Sequence, residues 1–212
     1  MTENKNLPKV GVIGSGSFAT AVVKMLMENC EKVHWLLRND GTREALVSQG
    51  SNPHYLTAVK FNPDRLVLTM DINELVTVCD VIILATPSIY LADTIEKMTC
   101  DYSGKIFASV IKGIVPKHND IVANYLRDTF KIGYSSQAVL AGPCHAEEVA
   151  MERLSFLTVA AANKETTQML SDLLSSRYIR INQSNDILGN EYSAVLKNIY
   201  AIGAGMANGL GY

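Results

Sequence analysis

Lys9-Val-Gly-Val-Ile13-Gly14-Ser-Gly16-Ser-Phe-Ala19 (KVGVIGSGSFA) decides the fold of this chain of 212 residues. Lys9–Ile13 is a short apolar run of strand type, and it enters Gly14-x-Gly16-x-x-Ala19 without a break. Ala21, Val22, Val23, Met25, Leu26 and Met27 then recur at helical spacing. Strand, glycine turn and helix in that order form a dinucleotide-binding fingerprint, in which alanine is allowed at the third position. Gly14 permits the tight turn, and Gly16 lets the backbone approach a pyrophosphate. The small Ala19 lets the helix pack on the strand, and the free N–H groups of the helix start favour phosphate.

Outward from this turn the same alternation continues. Strand-like runs are Lys32–Leu37, Leu66–Met70, Asp80–Ala85, Lys105–Ile111, Ala138–Ala141, Leu157–Ala161 and Tyr178–Ile181. Helical stretches are Asn73–Cys79, Ile89–Met98, Asn119–Phe130 and Lys164–Ser176. Arg38-Asn-Asp-Gly reads as the turn that ends the second strand. The pattern predicts an α/β fold: a Rossmann-like, doubly wound, mostly parallel sheet with helices on both faces. The expected dinucleotide-binding domain covers 1–185. A helix from about Asp186 opens residues 186–212, read as the truncated start of a C-terminal helical domain.

Composition narrows the function classes. Hydrophobic residues make up 48% of the chain, enough for a sizeable core, and the net charge of −2 gives no electrostatic case for nucleic acid or an anionic membrane. Cys30, Cys79, Cys100 and Cys144 are scattered, with no metal-like cluster. The polar N-terminus carries no apolar signal segment, and no run approaches membrane-spanning length. These features lead to the expectation of a reduced cytoplasmic setting, no metal and no membrane partner.

Three places carry candidate chemistry. The second strand ends in Leu36-Leu-Arg38-Asn39, with no carboxylate for a ribose hydroxyl. Arg38 can instead pair with a 2′-phosphate, so NADP use is open as well as NAD. Lys112-Gly113 and Gly142-Pro-Cys144-His-Ala146 each follow a strand at the edge where such sheets bind ligands. Lys197 lies in Glu191-Tyr-Ser-Ala-Val-Leu-Lys-Asn198, among small uncharged residues. Leu188, Val195, Ile199, Ile202 and Met206 form the opposite stripe, expected to be a core face. Lys112, Lys197 and a cofactor are expected to converge, with an ammonium protonating a carbonyl during hydride transfer. Cys144 and His145 have no paired partner in sequence.

Together these segments resemble the glycerol-3-phosphate dehydrogenases that use NAD(P). The likeness spans the Gly14–Ala21 turn, Trp35–Arg38, Asn52-Pro-His-Tyr-Leu56, Asp80–Pro87, Lys112-Gly113, Gly142–Glu148 and Leu196-Lys-Asn198. It implies that Lys197 is the proton donor and acceptor and that Lys112 touches both cofactor and substrate. It also implies substrate contacts at Gly142 and Cys144, and cofactor contacts at Gly14, Gly16, Ser17, Phe18, Arg38 and Ala146. The implied reaction interconverts dihydroxyacetone phosphate and glycerol 3-phosphate with NAD(P)H, in supply of phospholipid synthesis. The substrate is then a triose phosphate, and a homodimer stays open as the assembly. Ala19 replaces the usual third glycine, and Cys144 stands where a hydroxyl or amide residue is commoner. The family continues into a helical domain with an Arg-Asn pair, which has no counterpart in these 212 residues. Two rival readings stay open: another hydroxy-acid or oxo-acid reductase of the same plan, and a non-catalytic NAD(P)-sensing module.

Overall fold

The computed structural model describes residues 7–212. Residues 1–6, the first of the expected dinucleotide-binding domain and most of its polar start, lie outside the described residues. Eight strands form one sheet: β1 (Val10–Ile13), β2 (Val33–Leu36), β3 (Leu66–Thr69), β4 (Val81–Leu84), β5 (Ile106–Ser109), β6 (Gln137–Ala141), β7 (Ser155–Ala161) and β8 (Ile179–Ser184). The helices are α1 (Ser17–Leu26), α2 (Asp40–Gln49), α3 (Ile72–Val78), α4 (Ser88–Ile95), α5 (Val122–Phe130), α6 (Ala146–Ala150), α7 (Lys164–Leu174) and α8 (Ile187–Gly209).

The strand order is β3-β2-β1-β4-β5-β6-β7-β8. Neighbours are parallel except β6 and β7, which run antiparallel. The expected α/β architecture is therefore the observed one. Within β1, Val10 and Val12 join the core that contains α1, while Ile13 joins the core on the other face with α3, α4 and α5. Val81 and Ile83 divide from Ile82 and Leu84 in the same way along β4. Both faces of the sheet are covered, so these strands are continuous apolar runs instead of alternating ones. The winding reverses between β1 and β4, which opens a crevice at their C-terminal ends.

Two local expectations are corrected. Arg38-Asn-Asp-Gly is not a plain turn: Asn39 Oδ1 accepts from Thr42 N at 2.9 Å and caps α2, which ends at left-handed Gly50. The cap and the terminal glycine were both present in the sequence as helix punctuation. The second correction concerns α8. Leu188 and Val195 pack against the small core between α5, β6 and the start of α8. Ile199, Ile202 and Met206, however, are 60%, 64% and 64% exposed. At 23 residues this helix is about 35 Å long, and it leaves the sheet before the stripe ends.

Candidate active site

The glycine turn lies where the sheet winding reverses. A cavity of about 560 Å³ opens there, lined by Gly14, Gly16, Arg38, Tyr55, Thr86 and Tyr90 among others. Gly14 has φ 126°, and an added Cβ would stand 2.5 Å from the Ala85 carbonyl oxygen. Its need for glycine is therefore internal to the fold. Gly16 is different. Its φ is −79°, and a Cβ built there meets nothing within 4 Å. Among the described residues nothing requires glycine at 16, so the free space above it is room for a ligand.

Gly16 starts α1, and no side chain caps that helix or places an acid in its first turn. Ser17 and Phe18 open it, with their N–H groups among those a helix leaves unpaired. Such an end attracts anions, so the turn can receive the phosphates of a nucleotide. Arg38 stands at the rim of the same cavity with its guanidinium 5.3 Å from the centre of the Tyr90 ring. It is exposed over that ring, and no salt bridge to a carboxylate engages it among the described residues.

The second group of candidates adjoins the first. Lys112 Nζ lies 5.4 Å from the centre of the Phe18 ring, which joins it to the start of α1. Burial holds the half-buried Lys112 ammonium below its usual range, and repulsion from Lys197 lowers it further. The two lysines therefore lie within electrostatic reach of each other, although they are 85 positions apart in the chain. Lys197 itself is exposed on α8. Cys144 is only 1% exposed, and its thiol points into the core beneath Lys112. Burial pushes that thiol up to about 11, so it is a neutral packing group. Gly142 ends β6 with φ 128°. Ala146 opens α6 with its methyl group buried in the core that also contains Ala19.

Some parts of the site were not read from the sequence. Tyr90 and Tyr55 line the cavity; their nearness to the glycine turn depends on the sheet order. Buried Trp35 and Asn52 hydrogen-bond to the turn itself. Glu191, fully buried on α8, accepts from Val122 N at 2.9 Å and Ala123 N at 3.0 Å and so caps α5. His145 Nδ1 and Glu148 Oε2 stand 3.3 Å apart, a pairing the sequence alone did not suggest, on side chains 59% and 41% exposed. Among the described residues no cluster of histidine, cysteine or carboxylates could hold a metal. Among the described residues no helix is long and apolar enough to cross a membrane.

Comparison with known proteins bears on the family and the fold. The glycerol-3-phosphate dehydrogenase (NAD(P)+) of Pseudomonas fluorescens (strain SBW25) is 35% identical over 100% of this chain and 60% of its own length. The protein of the same name from Agathobacter rectalis is 33% identical, over 97% of this chain and 61% of its own length. A solved glycerol-3-phosphate dehydrogenase from Plasmodium falciparum superposes with a TM-score of 0.86 at 25% identity, over 96% of this chain and 60% of that one. The chain thus spans about 60% of the length of these relatives. Residues 9–167 match the family described as NAD-dependent glycerol-3-phosphate dehydrogenase N-terminus, and the chain belongs to that family.

Proposed function

We propose that this chain is the cofactor-binding part of an NAD(P)-dependent glycerol-3-phosphate dehydrogenase, which interconverts dihydroxyacetone phosphate and glycerol 3-phosphate. The observation that carries this reading is the cavity at the uncapped, glycine-opened start of α1, with the Lys112 ammonium beside it at Phe18 and within electrostatic reach of Lys197. A sensing module needs the cradle but not the second ammonium. The open space at Gly16 fits a pyrophosphate laid across the start of α1, with Ser17 and Phe18 beneath it. Arg38 takes a 2′-phosphate when one is present. When bound, the dinucleotide supplies the hydride.

The remaining chemistry belongs to the chain's own residues. Lys197 donates a proton to the carbonyl oxygen of the substrate and recovers it in the reverse direction. Lys112, half-buried between Phe18 and Lys197, holds the anionic substrate against the cofactor, with the backbone at Gly142 and Cys144 forming the wall below. Ala146 keeps α6 close against the cofactor side. Residues 1–185 form the dinucleotide domain, and 186–212 open a second, helical one. The exposed Ile199, Ile202 and Met206 are the face that this second domain covers. Burying side chains of that size is worth about 1.5–3 kcal/mol each. A water-borne, membrane-free enzyme of the cytoplasm that supplies phospholipid synthesis, working alone or as a homodimer, follows from this reading.

The test uses a chimera that continues this chain with the remaining part of the Pseudomonas fluorescens relative. It should oxidise NADH when given dihydroxyacetone phosphate. Lys197→Ala should lower kcat by about 10² to 10⁴, the range for losing a positioned acid or base, with NADH affinity nearly unchanged. A Lys197→Ala chimera with undiminished kcat would remove the assignment.

A further inference from the structure

We infer that Asn52, with Thr20 and Trp35, is the positioning residue of the glycine turn: these side chains hold its three carbonyl oxygens inward and so aim its N–H groups at the cofactor phosphates. This rests on the function proposed above, and it assigns a role to residues that touch no ligand.

The three side chains come from three parts of the chain, and two of them, Asn52 and Thr20, are bonded to each other. Trp35 Nε1 donates to Gly14 O at 2.6 Å. Asn52 Nδ2 donates to Ser15 O at 3.1 Å and to Thr20 Oγ1 at 2.9 Å. Thr20 Oγ1 in turn donates to Gly16 O at 2.9 Å. In a trans peptide the N–H points opposite to the C=O. Anchoring the oxygens of 14, 15 and 16 on the protein side therefore turns the N–H groups of Ser15, Gly16 and Ser17 the other way. Gly14, Ser15 and Gly16 line the cavity, so that other way is the cleft. The carbonyl oxygens, which would repel a phosphate, are kept out of it.

Asn52 is 0% exposed and its amide is saturated. Its Oδ1 accepts from His54 N at 3.0 Å and Tyr55 N at 3.3 Å. A flipped amide would set its NH₂ against two N–H donors and its oxygen against the Ser15 oxygen, so only one orientation satisfies the site. Through that orientation one side chain fixes both the turn and the loop that carries Tyr55 to the cavity wall. The backbone shares only part of this work: Thr20 N also donates to Gly16 O at 3.0 Å, while Trp35 and Asn52 hold the oxygens of Gly14 and Ser15. A loosely held turn would lose part of its affinity to the ordering that binding then requires.

Asn52→Asp keeps the acceptor for His54 and Tyr55 but replaces the donor to Ser15 with an oxygen. Thr20→Val removes one donor with little change of shape, and Trp35→Phe removes another together with part of a fully buried ring. The measurement is a calorimetric titration with NADH, which reports both stoichiometry and Kd. A residue needed only for folding lowers the fraction of competent molecules and leaves Kd alone. A positioning residue raises Kd at a stoichiometry near one. We expect Asn52→Asp to raise Kd at least about tenfold, the scale of one misdirected hydrogen bond to a charged group. Thr20→Val and Trp35→Phe should each raise it by a smaller factor. Wild-type Kd in Asn52→Asp overturns the inference. If that variant does not fold, wild-type Kd in both of the others overturns it. Wild-type chain that binds NADH, loses it on Gly16→Val and keeps it in these variants refutes the positioning role alone. Wild-type chain that binds no NADH refutes the proposed function and this inference together.

Discussion

Raising the pH from 5 to 8 should remove on the order of 2–3 kcal/mol of folding stability through one side chain, Glu191. Burial lifts its carboxyl to about 7 and outweighs the two N–H bonds from Ala123 and Val122, which pull the other way; Asp120 adds a little repulsion. In the unfolded chain the ordinary value is 4.5. Between these two values the folded state keeps a proton that the unfolded state has released. The contribution is full below pH 4.5 and is lost as the pH rises through 7. At about 1.4 kcal/mol per unit of separation, integration from pH 5 to 8 gives the figure above. The assay is urea unfolding at several pH values, for the chain and for Glu191→Gln, which cannot titrate. His34, held below its usual range by burial and then by Lys9 and Lys32, acts in the opposite sense. Its stability is present at higher pH and lost as the pH falls, and it cancels between the two proteins. The difference curve should fall by on the order of 2–3 kcal/mol across this window. Parallel curves would refute the reasoning.

Other expectations follow from single contacts. Arg38→Ala should weaken NADPH by about 1.5–3 kcal/mol, the worth of a hydrogen bond to a charged group; NADH should be nearly untouched, and an equal loss for both in parallel titrations would take the 2′-phosphate from Arg38. Gly14→Ala should destabilise the chain by about 1–3 kcal/mol from its backbone angle alone, with the clash on Ala85 added. Gly16→Ala should leave thermal unfolding nearly where it was, so a comparison of melting curves separates the two glycines. Asn39→Ala should cost about 1 kcal/mol in urea unfolding, the usual loss for an N-cap; no loss would mean that α2 is held by packing only.

What the sequence disclosed was local. The turn at Gly14–Ala19, the apolar strands on either side of it and the alternation of strand and helix are all properties of a few adjacent residues. So were Asn39 and Gly50, whose capping signals went unused because Asp40-Gly41 reads equally well as a turn. What stayed hidden was long-range. Trp35 reaches the turn across 21 residues, Asn52 across 37, and Glu191 caps α5 across 69. No periodicity links such pairs; only the strand order brings them together. Residue chemistry also gave no direction for side chains. Cys144 and Ala146 sit in segments beside the cleft, yet both side chains turn into the core. The α8 stripe was read as core from its spacing, but spacing does not say whether a partner surface is present. Ile199, Ile202 and Met206 show that here it is not.

Calorimetric titration of the chain with NADH, beside Gly16→Val, tests the central claim most directly. A Cβ at this position meets nothing within 4 Å and the backbone angle is an ordinary one, so the variant should fold, and unfolding curves will verify that. The wild-type chain should bind one NADH per molecule, and the folded variant should bind none in the same range, because the side chain fills the space over the start of α1. Equal binding by both proteins, or none by the wild type, would contradict the account.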